Sequence, residues 1–311
     1  MATEIKRKRQ LKKRHKDMIF VACLVAFPLL QYFVFYIMVN FNSILLAFQA
    51  YDPGVGSGNG NYYFIGFQNF IKLYEEFAAG GLMLTCIKNS MVAYLLNLVI
   101  GTTLGLVFSY YIARKRFASK VFKVMLFLPS IISSIVLVTV FKYFADYMIP
   151  NLINQMFGTN LKALISTKDT AFGSIMFYNI WTGFGTAILL YSGAMTNVSD
   201  SIIEAGKIDG AGVVTEFCRI VLPMIFPTFK TMVISGVTGI FINNLGLFSF
   251  FGTGAERYLW TFGYYILRGT RMATLADYPY LASIGVVLTI ICVPLTFTIR
   301  WLLDKFGPSV E

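Results

Sequence analysis

Six apolar runs, each long enough to cross a bilayer, decide what this chain can fold into. They lie at roughly 18–46, 86–112, 121–145, 172–192, 224–250 and 280–303. A helix crosses the hydrocarbon core in about 20 residues. Inside lipid the backbone must satisfy its own hydrogen bonds, so spans of this length are helices. The runs therefore predict an all-α integral membrane protein with six transmembrane helices. Charged residues make up 13% of the chain, against about 25% in a soluble domain. The proposed organisation is a basic tail at 1–17, a six-span membrane domain at 18–303 and a short tail at 304–311. The first run follows a basic tail but is too long for a signal-peptide core, and no cleavage site follows it, so it is read as a retained span. Pro28, Pro129, Pro227 and Pro294 fall within spans, where neighbouring groups can satisfy the freed carbonyls.

The net charge is +11. Its placement fits a membrane better than a nucleic acid. With both termini inside, the inner segments hold seventeen Lys and Arg residues and the outer segments eight, leaving aside Lys230 at a span end. Lys6–Lys16 and the loop at 113–123 dominate that bias, which predicts a multi-pass membrane protein with cytoplasmic termini. The tail can also meet anionic lipid headgroups. The Gly-rich tract at 52–60 reads as a flexible connector. It is not a phosphate loop, because no Lys-Ser/Thr pair follows it.

Catalytic classes are poorly served. No G-x-x-x-x-G-K-[ST] is present, and the only histidine, His15, lies in the basic tail. The four cysteines, Cys23, Cys86, Cys218 and Cys292, form no metal-binding spacing. The prediction is a chain that is not an enzyme, with no catalytic residues, no metal and no cofactor of its own.

One polar interval interrupts the apolar runs at 193–222. Ser201-Ile-Ile-Glu204 has the form of a capping box and predicts the start of a short helix. Gly210 and Gly212 favour a bend. Beyond it, Val213, Val214, Phe217, Ile220 and Val221 recur on one helical face, with Thr215, Glu216, Cys218 and Arg219 opposite. Pro223 marks the turn into the fifth span. The reading is two short helices around a glycine elbow.

The order Glu204-Ala205, Asp209-Gly210-Ala211, Phe217, Ile220, Leu222-Pro223 resembles the EAA coupling loop, here about 200–223, of binding-protein-dependent ABC transporter permeases. This chain has Gly206 where that pattern has alanine. Phe64-Ile-Gly66-Phe-Gln-Asn69-Phe70, Phe127-Leu128-Pro129 and Trp181-Thr-Gly183 are similar to segments of the maltose-type, multiple-sugar branch. The resemblance implies an ABC type I importer permease for carbohydrate, in a bacterial cell membrane. It implies a second homologous permease subunit, two ATP-binding subunits that hold ATP and Mg, and an extracytoplasmic solute-binding protein. It assigns coupling to the ATPase to Glu204, Ala205, Gly206, Asp209 and Gly210.

Polar groups inside spans are costly and mark candidate sites. Asn243-Asn244 interrupts an apolar stretch of the fifth run. Side-chain amides both donate and accept, which suits sugar hydroxyls; they also bond helix to helix. By position in similar permeases, the resemblance points to Phe241, Asn244, Gly183 and Thr186 as substrate contacts. Thr186 stands where that type tends to carry an aromatic residue. In a continuous helix Asn243 would face about 100° away from Asn244, as the likelier structural partner. Gln31, Asn40, Asn97 and Asn179 are weaker candidates. Tyr62, Tyr63, Tyr110, Tyr111, Tyr264, Tyr265 and Trp301 fit interfacial belts. Rival cargoes are glycerol phosphate, polyamine or phosphate; an ion-coupled secondary carrier is the different class. The spans carry almost no Lys or Arg, which disfavours an anionic cargo.

Overall fold

The computed structural model describes residues 2–54 and 60–308, with the side chains at 2–15 and 184 outside the description. Residues 55–59 of the Gly-rich tract, 309–311 of the C-terminal tail and the basic side chains at 6–14 therefore lie outside the described residues.

The chain divides into two compact units. The first comprises residues up to Leu73 together with Ala273–Val286. Its long helix runs through α1 (Ala2–Tyr32), a π turn at Phe33–Met38 and α2 (Val39–Leu46). None of the residues in the most apolar stretch of Lys16–Leu46 is buried within this chain. A hairpin follows, β1 (Gln49–Asp52) antiparallel to β2 (Asn61–Phe64), with Gln49 opposite Phe64. Gly66 takes φ +66°, turning the chain into α3 (Gln68–Ala78). Asn69 donates from Nδ2 to the carbonyls of Ala47 and Gln49, both at 2.9 Å. Phe48 packs on Phe64, Phe67 and Phe70. The Phe64–Phe70 segment is thus the lock of this small unit.

The second unit holds Tyr74–Met272 and the chain from Val287 onward. One uninterrupted helix, Leu82–Ala113, comprises α4 (Leu82–Leu96), a π turn (Asn97–Gly101) and α5 (Thr102–Ala113). Then come α6 (Ser119–Ile131), α7 (Ser134–Tyr143), a π turn (Phe144–Met148) and α8 (Ile149–Phe157). The 29-residue α9 (Lys168–Thr196) packs along α5. Gly105 lies at this contact, where a Cβ would sit at ordinary van der Waals distance from Ala187 and Tyr191. Further elements are α10 (Asp200–Ile208), α11 (Val213–Thr215), a π turn (Glu216–Val221), α12 (Leu222–Met224), α13 (Phe226–Thr238), α14 (Leu247–Phe251), α15 (Phe262–Met272) and α16 (Tyr278–Phe306), whose first part belongs to the first unit.

Two of the expected spans break. The third, 121–145, stops at Ile132 and Ser133, which are extended (ψ 141° and 130°); Pro129 lies just upstream, and the helix that follows runs on to Phe157. The fifth, 224–250, is helical to Thr238, irregular over 239–246 and helical again from Leu247. Among the described residues, four helices are long and apolar enough to cross a membrane, or five if the pair bent at Ile225 counts as one. The 29 residues of α9 would reach about 43 Å, but Asn179, Thr182, Gly183, Gly185 and Thr186 make it less apolar.

Candidate functional site

The elbow is built from α10 and the helix 213–224. Helix α10 starts at Asp200 with Ser199 in the capping position. The expected capping box at Ser201 and Glu204 is therefore displaced: Ser201 sits inside the helix, its Oγ 2.7 Å from that of Ser199. Helix α10 ends in a Schellman closure. The N–H of Ala211 donates to Gly206 O (2.9 Å) and that of Gly210 to Lys207 O (3.1 Å). Gly210 makes this possible at φ +82°, where a Cβ would be strained. Gly206 is buried, and a Cβ on it would meet the end of the Ile220 side chain.

Beyond Gly212 the chain is helical from Val213 to Met224 and bends by 73° at Ile225 into α13. Pro223 lies one turn-end earlier than that bend. Its missing N–H accompanies the π turn at Glu216–Val221, where Leu222 N–H reaches Phe217 O.

The elbow's inner side packs Ile203, Val221 and Ile225 against Leu106, Tyr191, Met195 and Val198. Each such side chain contributes about 1.5–3 kcal/mol on burial. Its outer side presents Glu204, Ala205, Lys207, Asp209 and Gly210, with Ile208 86% and Val214 75% exposed. The expected division of the second helix fails at two places. Val213 and Val214, expected on the packed face, point outward, while Glu216, expected on the polar side, is 4% exposed. Tyr110 Oη donates to Glu216 Oε1 at 2.7 Å, and Arg114 pairs with the same oxygen. No local spacing could announce this contact, since Tyr110 lies 106 positions away.

Above the elbow, α4, α5, α9, α13 and the irregular stretch enclose a cavity of about 280 Å3. Gly183, Thr186 and Asn243 line it, with Tyr94, Asn97, Asn179, Met176 and Met232; Phe241 and Asn244 do not. Phe241 is buried against Phe262, their centroids 5.9 Å apart. Asn243 and Asn244 do not share a helix, so the expected 100° relationship does not apply. Each folds its Oδ1 back to accept an N–H two residues on, from Leu245 and Gly246 respectively, at 2.8 Å. Among the described residues, no Lys, Arg, Asp or Glu lines the cavity. The Tyr94 hydroxyl is buried with no hydrogen-bond partner among the described residues. Tyr264, expected in an interfacial belt, is instead fully buried, donating to Gly252 O at 2.9 Å.

Residues 98–311 match the family described as binding-protein-dependent transport system inner membrane component. The chain is similar to the probable starch degradation products transport system permease protein AmyD of Thermoanaerobacterium thermosulfurigenes: 24% identical over 187 residues, 59% of this chain and 63% of that one. It is 26% identical over 199 residues to the polygalacturonan/rhamnogalacturonan transport system permease protein YteP of Bacillus subtilis, covering 62% of this chain and 60% of that one. The match thus spans under two-thirds of either relative. A bacterial alginate ABC transporter, solved with alginate pentasaccharide-bound periplasmic protein, contains a chain of the same fold. Its TM-score is 0.76 at 18% identity, over 96% of this chain and 99% of that one. A match across more than half the residues, on a bundle of long apolar helices, places this multi-pass membrane chain in the family of binding-protein-dependent transport system inner membrane components.

Proposed function

We propose that the chain is a permease subunit of an ATP-driven importer for carbohydrate, most simply uncharged oligosaccharide fragments. The observation that carries the reading is the elbow. It turns an exposed surface with Glu204, Ile208, Asp209 and Val214 away from the molecule, and it packs its other side on the α5 and α9 ends. That is the form of a part that receives a push from a separate subunit. A P-loop ATPase pair is the proposed source, because no nucleotide-binding loop occurs in this sequence. A second permease subunit and an extracytoplasmic binding protein complete the proposed machine. Both termini lie in the cytoplasm in this reading, the elbow with them.

The cargo follows from the cavity. Amides, hydroxyls and aromatic or thioether surfaces without a formal charge suit hydroxyl-rich, uncharged solutes. The relatives' starch and polysaccharide names support carbohydrate; the alginate importer's cargo is an acidic polysaccharide, so the uncharged class rests on the cavity alone. Gly183, Thr186 and Asn243 are the proposed contacts of this chain. Asn244 and Phe241 hold the wall behind them. Closure of the ATPase pair moves the elbow, the bundle opens outward, and solute released by the binding protein enters.

The coupling surface is tested by Glu204→Lys and Asp209→Lys in the complex. The reading expects assembly to persist while transport separates from ATP hydrolysis. Transport at the unaltered rate in both variants would contradict it.

A further inference from the structure

The elbow reaches the cavity by two routes, and one of them is ionic. The first is covalent: the chain bends at Ile225 and continues as α13, which gives the cavity Met232, Val233 and Gly236. The covalent route also runs back through residues 197–199 from α10 into α9; the wall from α5, by contrast, has no nearby chain connection with the elbow. What joins them is the apolar contact already described and the cluster of Arg114, Glu216 and Tyr110.

We propose that the Arg114–Glu216 pair, seated by Tyr110, is the link that makes α5 follow the elbow during transport. This rests on the importer reading above. Three features of the structure support it. First, the pair is shielded, with side chains only 17% and 6% exposed. Buried pairs add little net stability relative to well-packed apolar residues, so packing alone gives no reason for one here. Second, the cluster is built for orientation. Tyr110 Oη bonds Glu216 Oε1 at 2.7 Å, the Arg114 guanidinium lies 5.3 Å from the Tyr110 ring centroid, and Tyr110 packs on Phe217 at 5.0 Å. Third, Arg114 caps α5, which runs as one helix to Thr102 on the cavity wall, about 18 Å away at 1.5 Å per residue.

The surroundings leave room for movement. A second cavity, of about 100 Å3, lies against the cluster, lined by Tyr110, Arg114, Met195, Asp200, Ile203 and Val221. A packed interface moves between discrete arrangements rather than deforming smoothly. A strong polar contact beside a void can stay closed while the apolar contacts around it shift. Arg114 and Glu216 are positioning residues in this account, since neither lines the cavity that would hold solute.

The test uses the whole complex in proteoliposomes with its binding protein, and the neutral oligosaccharide that most stimulates the unaltered complex. The readout is solute moved per ATP hydrolysed, which a merely structural role would not change in assembled complexes. Glu216→Gln keeps the shape and an acceptor for Tyr110, so it preserves assembly. The account expects it to lower the ratio about tenfold, within the usual range of coupling between sites. Arg114→Ala should do the same. The double variant R114A/E216Q should be no worse than either single one, and the exchanged pair R114E/E216R should recover most of the loss. An unaltered ratio in E216Q, or losses that add in the double variant, would overturn the link while the importer reading stands. An unaltered complex whose ATP hydrolysis no oligosaccharide stimulates would overturn both.

Discussion

Asn179 on α9 donates from Nδ2 to the carbonyl of Leu245 at 2.9 Å, and also to its own helix at Ile175 O at 2.8 Å. Leu245 is buried at φ +53°, a left-handed conformation that costs a non-glycine residue about 1–2 kcal/mol. Its N–H is held by Asn243 Oδ1. Two asparagine side chains thus hold an irregular turn at the middle of an apolar run, beside the cavity.

Replacing Asn179 with leucine removes the donor and leaves the Leu245 carbonyl buried and unpaired. That costs about 1–3 kcal/mol. The apparent unfolding temperature of the purified chain in detergent should fall by several degrees. An unchanged temperature would mean that the turn is held by packing alone.

Asn243 and Asn244 make matched turn bonds, but only Asn243 lines the cavity. Asn243→Ala and Asn244→Ala should therefore destabilise the turn alike and differ in uptake. The account expects the larger rise in KM from Asn243→Ala. Equal KM values, or a larger effect at Asn244, would remove Asn243 from the contact list.

Gly263 packs against backbone. A Cβ there would collide with the carbonyl of Ile242 and the backbone carbon of Asn243. Gly263→Ala should cost about 1–3 kcal/mol through overpacking and reduce the amount of folded protein in the membrane. Unaltered folded yield would show that the 242–243 backbone can give way.

Gly206 is the contrasting case. Its Cβ would meet only the end of the Ile220 side chain, which can rotate aside, while alanine gains about 1 kcal/mol of helix propensity. Gly206→Ala should leave the unfolding temperature equal or higher and transport nearly unaltered. A large loss of transport would show that Ile220 cannot move without disturbing the elbow.

Hydropathy and glycine positions carried much of this architecture. The runs at 86–112 and 280–303 are the helices Leu82–Ala113 and Tyr278–Phe306, and Gly210 turns the elbow at φ +82°. The breaks at 132–133 and 239–246 were hidden because an apolar residue reads the same in a helix and in a buried turn. The string Asn243-Asn244-Leu245-Gly246 was nonetheless a turn signal, since asparagine bonds its own backbone two residues on. Glu216 was misplaced because its partners belong to α5, and the π turn rotates the helix face that a regular period would assign. The cavity assembles residues of five separate segments: polar groups within single runs pointed to Asn97, Asn179 and Asn243, and the family resemblance to Gly183 and Thr186, while Tyr94, Met176 and Met232 carried no local signal.

The most direct test of the importer account is ATP hydrolysis by the purified complex in lipid, with its binding protein, across a panel of maltodextrin, xylan and galactan fragments. The account predicts co-purifying ATPase subunits and hydrolysis stimulated several-fold by one class of uncharged oligosaccharide. Stimulation by a non-sugar such as a polyamine or glycerol phosphate would contradict the proposed cargo, and a chain that carries no ATPase with it would contradict the role given to the elbow.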